Sequence, residues 1–212
     1  MNTMILADSF VPTFVPEDIK FVRLHFEFED GKRKMTPDEF WEFCKANPKL
    51  NAELTKDGDV IIMPPTGFET SDKNSELNLQ LRLWAKKDKR GKVADSNGGF
   101  VLPNGATRSP DSSWILKSRL DKLPKEILKK FLPLCPDFVV EMTSPSDSLS
   151  ETQEKMLEYI ENGAQLGWLI HAKTEQIFVY RPNEAVEILE NPAKVSGEPL
   201  LKDFELDLTE IF

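Results

Sequence analysis

Histidine and cysteine are almost missing from this chain. Among 212 residues only His25 and His171 carry an imidazole, and only Cys44 and Cys135 carry a thiol. Two isolated cysteines make neither a zinc-ligand pattern nor a disulfide framework, which suits a reducing cytoplasm. Two histidines without a supporting motif argue against imidazole metal chemistry and against a Ser-His-Asp triad. Long apolar runs are missing as well. No stretch approaches the length of a membrane span, so no membrane partner is expected. Met1 to Phe14 has no basic n-region and no long apolar stretch, so no secretory leader is expected either. Positive charge is in deficit: 27 Lys and Arg stand against 36 Asp and Glu, a formal charge of −9. That balance argues against passive affinity for nucleic acid. Asn97-Gly98-Gly99 lacks the lysine and the spacing of a phosphate loop.

What remains is a core-forming chain. Hydrophobic residues make up 40%, enough to exclude wholesale disorder. Pro12 and Pro16 break residues 1–20 into an arm without regular structure. Phe21 to Phe28 alternates apolar and polar residues and predicts a half-buried strand, closed by an Asp30-Gly31 turn. Thr36-Pro37-Asp38-Glu39 is a capping box with proline at the first helical position. Asn51 to Met63 predicts a hairpin turning at Asp57-Gly58. A longer helix is predicted from about Ser71 to Lys87, with Leu77, Leu81 and Trp84 on its core face and Leu79 and Leu83 widening it. Ser150 with Gln153 predicts a helix cap, for a helix ending before Gly163. Leu166–Ile170 and Gln176–Tyr180 predict a second hairpin. The order of elements gives an α/β (α+β) sheet with helices on its faces. The division expected is an N-terminal arm and strand over residues 1–34 and one domain over 35–212.

Two carboxylates stand at the heads of neighbouring apolar runs. Asp111 follows Ser109-Pro110 and precedes Ser112-Ser113-Trp114-Ile115-Leu116; Glu141 sits inside Phe138-Val139-Val140-Glu141-Met142. The second run reads as a strand buried on both faces. A carboxylate there is costly unless it is paired, hydrogen-bonded or metal-bound. Mg²⁺ (or Mn²⁺) uses one or two carboxylates and keeps several waters. Asp111 and Glu141, with the backbone carbonyl of Met142, could supply such ligands. Lys155, on the following helix, could orient a nucleophile or stabilise charge on a phosphodiester. Each residue also has a plainer reading. Asp111 could form a turn, Glu141 could pair with an arginine such as Arg82 or Arg108, and Lys155 could be solvated. Asp137 shares the Pro-Asp form and reads as structural. The basic clusters at 86–92 and 117–130 are the candidate phosphate-backbone contacts, expected to flank the site.

The segments from Ser109 to Trp114, from Cys135 to Asp147 and from Glu154 to Ile170 resemble the Uma-two family of restriction-endonuclease-like proteins, a branch of the PD-(D/E)XK nuclease superfamily. The resemblance extends upstream through Glu53-Leu54, Asp57-Gly58 and Met63-Pro64-Pro65-Thr66-Gly67, and down to Leu206-Asp207-Leu208. It implies a restriction-endonuclease-like fold with a central mixed four-stranded sheet core flanked by helices, extra N-terminal and C-terminal strands, and a divalent-metal site. It assigns Asp111 and Glu141 as the acidic residues. The superfamily lysine falls two residues after the glutamate, where this chain has Thr143; the resemblance implies that Lys155 replaces it. Glu53 falls at a glutamate of the family pattern and is a fourth candidate. The activity implied is Mg²⁺-dependent hydrolysis of DNA, with a homodimer expected because cutting both strands takes two sites. Loss of Lys155 is expected to slow cleavage and to leave stability nearly unchanged. The alternative is a catalytically inactive protein of this fold, serving as a DNA-binding or protein-interaction module.

Overall fold

A computed structural model describes residues 22–26, 34–145 and 147–212. The arm expected over residues 1–20, both ends of the strand expected over 21–28 and the Asp30-Gly31 turn lie outside the described residues. Strand β1 (Val22–Leu24) is followed by helix α1 (Pro37–Ala46), whose Thr36 and Glu39 form the capping box read from the sequence. The hairpin β2 (Asn51–Leu54) and β3 (Val60–Met63) turns through Gly58, whose φ of +88° suits glycine. Helix α2 (Phe68–Asp88) begins three residues before the expected Ser71. Its N-cap is Gly67, which offers no capping side chain for sequence reading to find. Strands β4 (Gly91–Asp95), β5 (Phe100–Val101), β6 (Thr107–Arg108) and β7 (Ser112–Leu116) follow, then the short helix α3 (Lys117–Leu120). Next come β8 (Phe138–Met142), α4 (Leu149–Glu161), β9 (Leu166–His171) and β10 (Gln176–Tyr180). Strands β11 (Glu187–Glu190), β12 (Lys194–Ser196) and β13 (Glu205–Asp207) end the chain.

Two sheets carry the architecture. The larger runs β11-β10-β9-β8-β7-β4. Strands β8 and β9 pair parallel and the other neighbours antiparallel, so the sheet is mixed as expected. Strands β10, β9, β8 and β7 lie inside it, and β11 and β4 are its edges. The smaller sheet runs β1-β3-β2-β6-β5, and β12 pairs with β13 alone.

Strand β8 is buried along its whole length, and its side chains alternate between two cores. Phe138, Val140 and Met142 join Leu77, Leu81 and Ala85 of α2. Val139 joins Met156 and Tyr159 of α4. This parity sends Glu141 to the α4 side. Leu79 and Leu83 do not widen the core face of α2: they are 52% and 49% exposed. Ser150 is not the cap of α4 either. Ser148 holds that position, and its hydroxyl bonds the Ser150 hydroxyl at 2.9 Å instead of a backbone N–H.

Candidate active site

The register of the strands gathers the carboxylates. Ser112 pairs with Val140 and Ser113 with Val139 across the antiparallel β7 and β8. One step further along, Asp111 lies opposite Glu141. Residues opposite each other in an antiparallel pair project to the same face. Asp111 is held by Met142 N–H, which donates to its Oδ2 at 2.8 Å, and by Asn74 Nδ2, which donates to Oδ1 at 3.2 Å. Asn78, one turn on from Asn74, donates to the Asp111 backbone carbonyl at 3.0 Å. Ser112 Oγ donates in turn to Asn78 Oδ1 at 2.9 Å.

Glu141 receives its partners from α4. Lys155 Nζ lies 2.8 Å from Glu141 Oε1, and Tyr159 Oη donates to the same oxygen at 2.9 Å. Spacing of four residues puts Lys155 and Tyr159 on one side of the helix. The Lys155 ammonium also lies 2.9 Å from Glu53 Oε1. It is therefore a largely buried, doubly paired cation, not a solvated lysine, so its loss is expected to cost stability, where the sequence alone implied little change. The alternative pairing of Glu141 with Arg82 or Arg108 does not form. Arg108 instead joins Glu53 Oε2 at 3.0 Å and Glu158 Oε2 at 2.6 Å. Register explains this too: Leu54 pairs with Thr107 across β2 and β6, so Glu53 comes opposite Arg108. Ser109 N–H adds a third partner for Glu53 at 2.9 Å. Both oxygens of Glu53 are thus engaged in holding Lys155, Arg108 and the segment that leads to Asp111.

Electrostatics separates the acids. Burial pushes the Glu141 carboxyl up to about 7, aided by the charges of Asp111 and Glu53 and opposed by Lys155. Burial likewise raises Asp111, against the Met142 N–H and Lys155. Burial would also raise Glu53, but Lys155 and Arg108 together hold it below the usual carboxylate range. The two glutamates raise the Lys155 ammonium above its usual range against its own burial. Tyr159 is raised well above its ordinary value by burial and by Glu141, so it stays a hydrogen-bond donor.

The acids and Lys155 line a cleft of about 980 Å³ between the β2–β3 hairpin, the head of α2, the end of β8 and α4. All four acid and lysine candidates and Met142 border it. Among the described residues its wall carries Arg23, Lys56, Arg108 and Lys155 as cations, against a longer row of acids that includes Glu69, Asp147, Glu151, Glu154 and Glu161. No residue of either basic cluster lines it. Lys87 lies about 20 Å along the α2 axis from Asn74 at 1.5 Å per residue. Lys129 and Lys130 border a separate groove of about 310 Å³ with Trp41 and Phe131. Asp137 is structural, as read: it accepts from Leu116 N–H and Arg119 at 2.8 Å each. Thr143 is buried and pairs with His171 Nδ1 at 2.8 Å, which takes the usual lysine position out of the cleft. Sequence reasoning missed Tyr159, Glu158, Asn74 and Asn78. The spacing of Tyr159 and Glu158 from Lys155 was the available signal for the first two.

Fold and site together define a protein of restriction-endonuclease-like fold. A family model described as "Putative restriction endonuclease" (Uma2) matches residues 37–209, and the chain belongs to that family. The structure is similar to the crystal structure of a putative nuclease belonging to DUF820 from Anabaena variabilis. The TM-score is 0.69 and the identity 22%, over 83% of this chain and 96% of that one. No curated protein matches this chain.

Proposed function

We propose that the protein is a metal-dependent endonuclease that hydrolyses DNA phosphodiester bonds in the cleft between β2–β3 and α4. The observation that supports this most is the facing placement of Asp111 and Glu141, with the Lys155 ammonium on Glu141. Among the described residues no three His, Cys, Asp or Glu side chains are arranged to hold a metal ion. The donor set still fits a hard cation that takes one or two carboxylates and completes its shell with neutral oxygens. Asp111 and Glu141 would hold it, with the Met142 carbonyl alongside. Mg²⁺ or Mn²⁺ there would supply charge neutralisation on the phosphodiester and lower the pKa of water. The chain's own part is positional. Met142 N–H and Asn74 fix the Asp111 carboxylate. Tyr159 fixes Glu141 Oε1 and leaves Oε2 free of hydrogen bonds from the described residues. Lys155, kept protonated by two glutamates, would offer a fixed positive charge to the negative charge that a phosphorane builds.

The test is cleavage of supercoiled plasmid and of DNA and RNA oligonucleotides with Mg²⁺ or Mn²⁺, alongside Asp111→Asn and Glu141→Gln. Metal-dependent DNA nicking lost in both variants supports the reading. Equal nicking by wild type and both variants refutes it.

The acidic wall favours a second reading, in which the fold is catalytically inactive and the cleft receives a protein partner with a basic segment. Absence of cleavage on every substrate, together with binding of a lysine-rich peptide that fades with salt, would select this reading.

A further inference from the structure

Four buried side-chain polar atoms lack a hydrogen-bond partner among the described residues: Asn74 Oδ1, Thr107 Oγ1, Trp114 Nε1 and Trp168 Nε1. Of their residues, only Asn74 borders the cleft. Buried polar atoms are nearly always paired, so an orphan beside a functional site calls for a missing partner. The orientation of the Asn74 amide follows from its neighbour. An ionised carboxylate only accepts hydrogen bonds, so the NH₂ group must face Asp111 Oδ1, as found at 3.2 Å. The carbonyl oxygen then has no protein donor. It is a neutral, hard oxygen on a residue already bonded to one of the two acids. Asn78, one turn later, grips the backbone of Asp111 and stiffens the same stretch of helix.

We propose that Asn74 belongs to the metal site: its amide nitrogen orients Asp111, and its carbonyl oxygen joins the oxygen set around the cation, by direct ligation or through a water in the cation's shell. The site then draws on three elements, with Asp111 at the head of β7, Glu141 and the Met142 carbonyl on β8, and Asn74 on α2. A set of two carboxylates and two neutral oxygens leaves room for the waters that Mg²⁺ retains. This inference rests on the metal-site reading above.

The test uses Mn²⁺ alone with the full chain, reading its dissociation constant by calorimetry and, separately, the melting temperature in chelator. Asn74→Leu removes the orphan oxygen and the link to Asp111. Asn74→Asp keeps an oxygen and forfeits the amide donor. Asn74→Leu is expected to fold and to bind Mn²⁺ at least about tenfold more weakly, as for loss of an outer-shell metal partner. Asn74→Asp should retain wild-type affinity or tighten it, since its oxygen and added charge favour the cation by more than the lost hydrogen bond to Asp111 costs. If Asn74→Leu does not fold, the Asn74→Asp result decides: weakened binding overturns the proposal and retained binding supports it. Unchanged affinity in Asn74→Leu, with binding abolished in Asp111→Asn, overturns this inference alone. Absence of Mn²⁺ binding in the wild type overturns it together with the metal-site reading.

Discussion

Replacing Glu141 by glutamine should stabilise the metal-free protein above neutral pH. The Glu141 carboxyl has an ordinary value of 4.5, and burial beside Asp111 and Glu53 lifts it to about 7 in the fold. Between those limits the native state holds a proton that the unfolded chain has released. Stability therefore falls as pH rises across that window and levels off above about 7. At about 1.4 kcal/mol per pH unit the penalty at pH 8 reaches about 3 kcal/mol as an upper bound. Glutamine avoids it. Its Oε1 can accept from Lys155 and Tyr159 as Glu141 Oε1 does, and Lys155 keeps Glu53 as counter-ion. The new NH₂ group lacks an assured acceptor and takes back about 1 kcal/mol or more. The net gain is about 1–2 kcal/mol at pH 8, which for a chain of this length means a melting temperature several degrees higher, at roughly 2–4 °C per kcal/mol. At pH 5 the two proteins should melt together. Mn²⁺ at a hundredfold excess over its dissociation constant adds about 2.7 kcal/mol to the wild type and reverses the order. Thermal melts at pH 5 and pH 8, with chelator and with Mn²⁺, read all four states. A glutamine variant that melts well below the wild type in chelator at pH 8, beside a wild type indifferent to Mn²⁺, would show that Glu141 is a structural ion-pair partner and refute the reasoning.

Lys155→Met should slow cleavage by about 10²-fold, the scale for losing one electrostatic stabiliser. It should also cost about 3 kcal/mol at pH 8, because it strands Glu141 and deprives Glu53 of one of its two cations; unchanged kinetics and urea midpoint would contradict both. Arg108→Met should destabilise by about 3–5 kcal/mol, since Glu53 and Glu158 share that guanidinium. Chemical denaturation checks this, and a loss below 1 kcal/mol would show the network to be dispensable. Gly91→Ala should be destabilising by about 1–3 kcal/mol or more through overpacking. Its Cβ would come within 2.2 Å of the buried Trp114 ring and 2.6 Å of the Ile115 carbonyl; a melting temperature equal to wild type would show that β4 can shift.

Local chemistry was the legible part of the sequence. The Thr36–Glu39 box, the Asp57-Gly58 turn and the buried β8 run depend on a few adjacent residues, and all three stand in the structure. Asp111 and Glu141 were legible because a carboxylate in an apolar run is anomalous. Lys155 was read from its place on the helix after the two carboxylates and Glu53 from family resemblance, and the structure brings them to one point. The arginine network was not legible in the same way. It depends on the single β2–β6 pairing at Leu54 and Thr107, between residues 53 apart in sequence, a register no local pattern encodes. Asn74 and Asn78 were equally hidden, since asparagines on a helix look solvated until a strand head docks against them. The lysine clusters misled because charge runs reveal exposure and not the face on which they lie.

The carboxylate wall of the cleft bears on how a polyanion would arrive. Most binders of phosphate chains are fastest in dilute salt, where attraction reaches furthest. Here the approach is uphill, and the barrier extends about one Debye length, roughly 8 Å at physiological ionic strength. Added salt shortens that reach. Under the nuclease reading, the encounter rate should first climb with monovalent salt and decline only when phosphate contacts themselves are screened. Divalent ions would act twice, once as a diffuse cloud that masks Glu151, Glu154 and Glu161, and once at the strand heads. The cleft would then admit its substrate in proportion to the cations around it, which makes the ionic composition of the medium a gatekeeper of turnover.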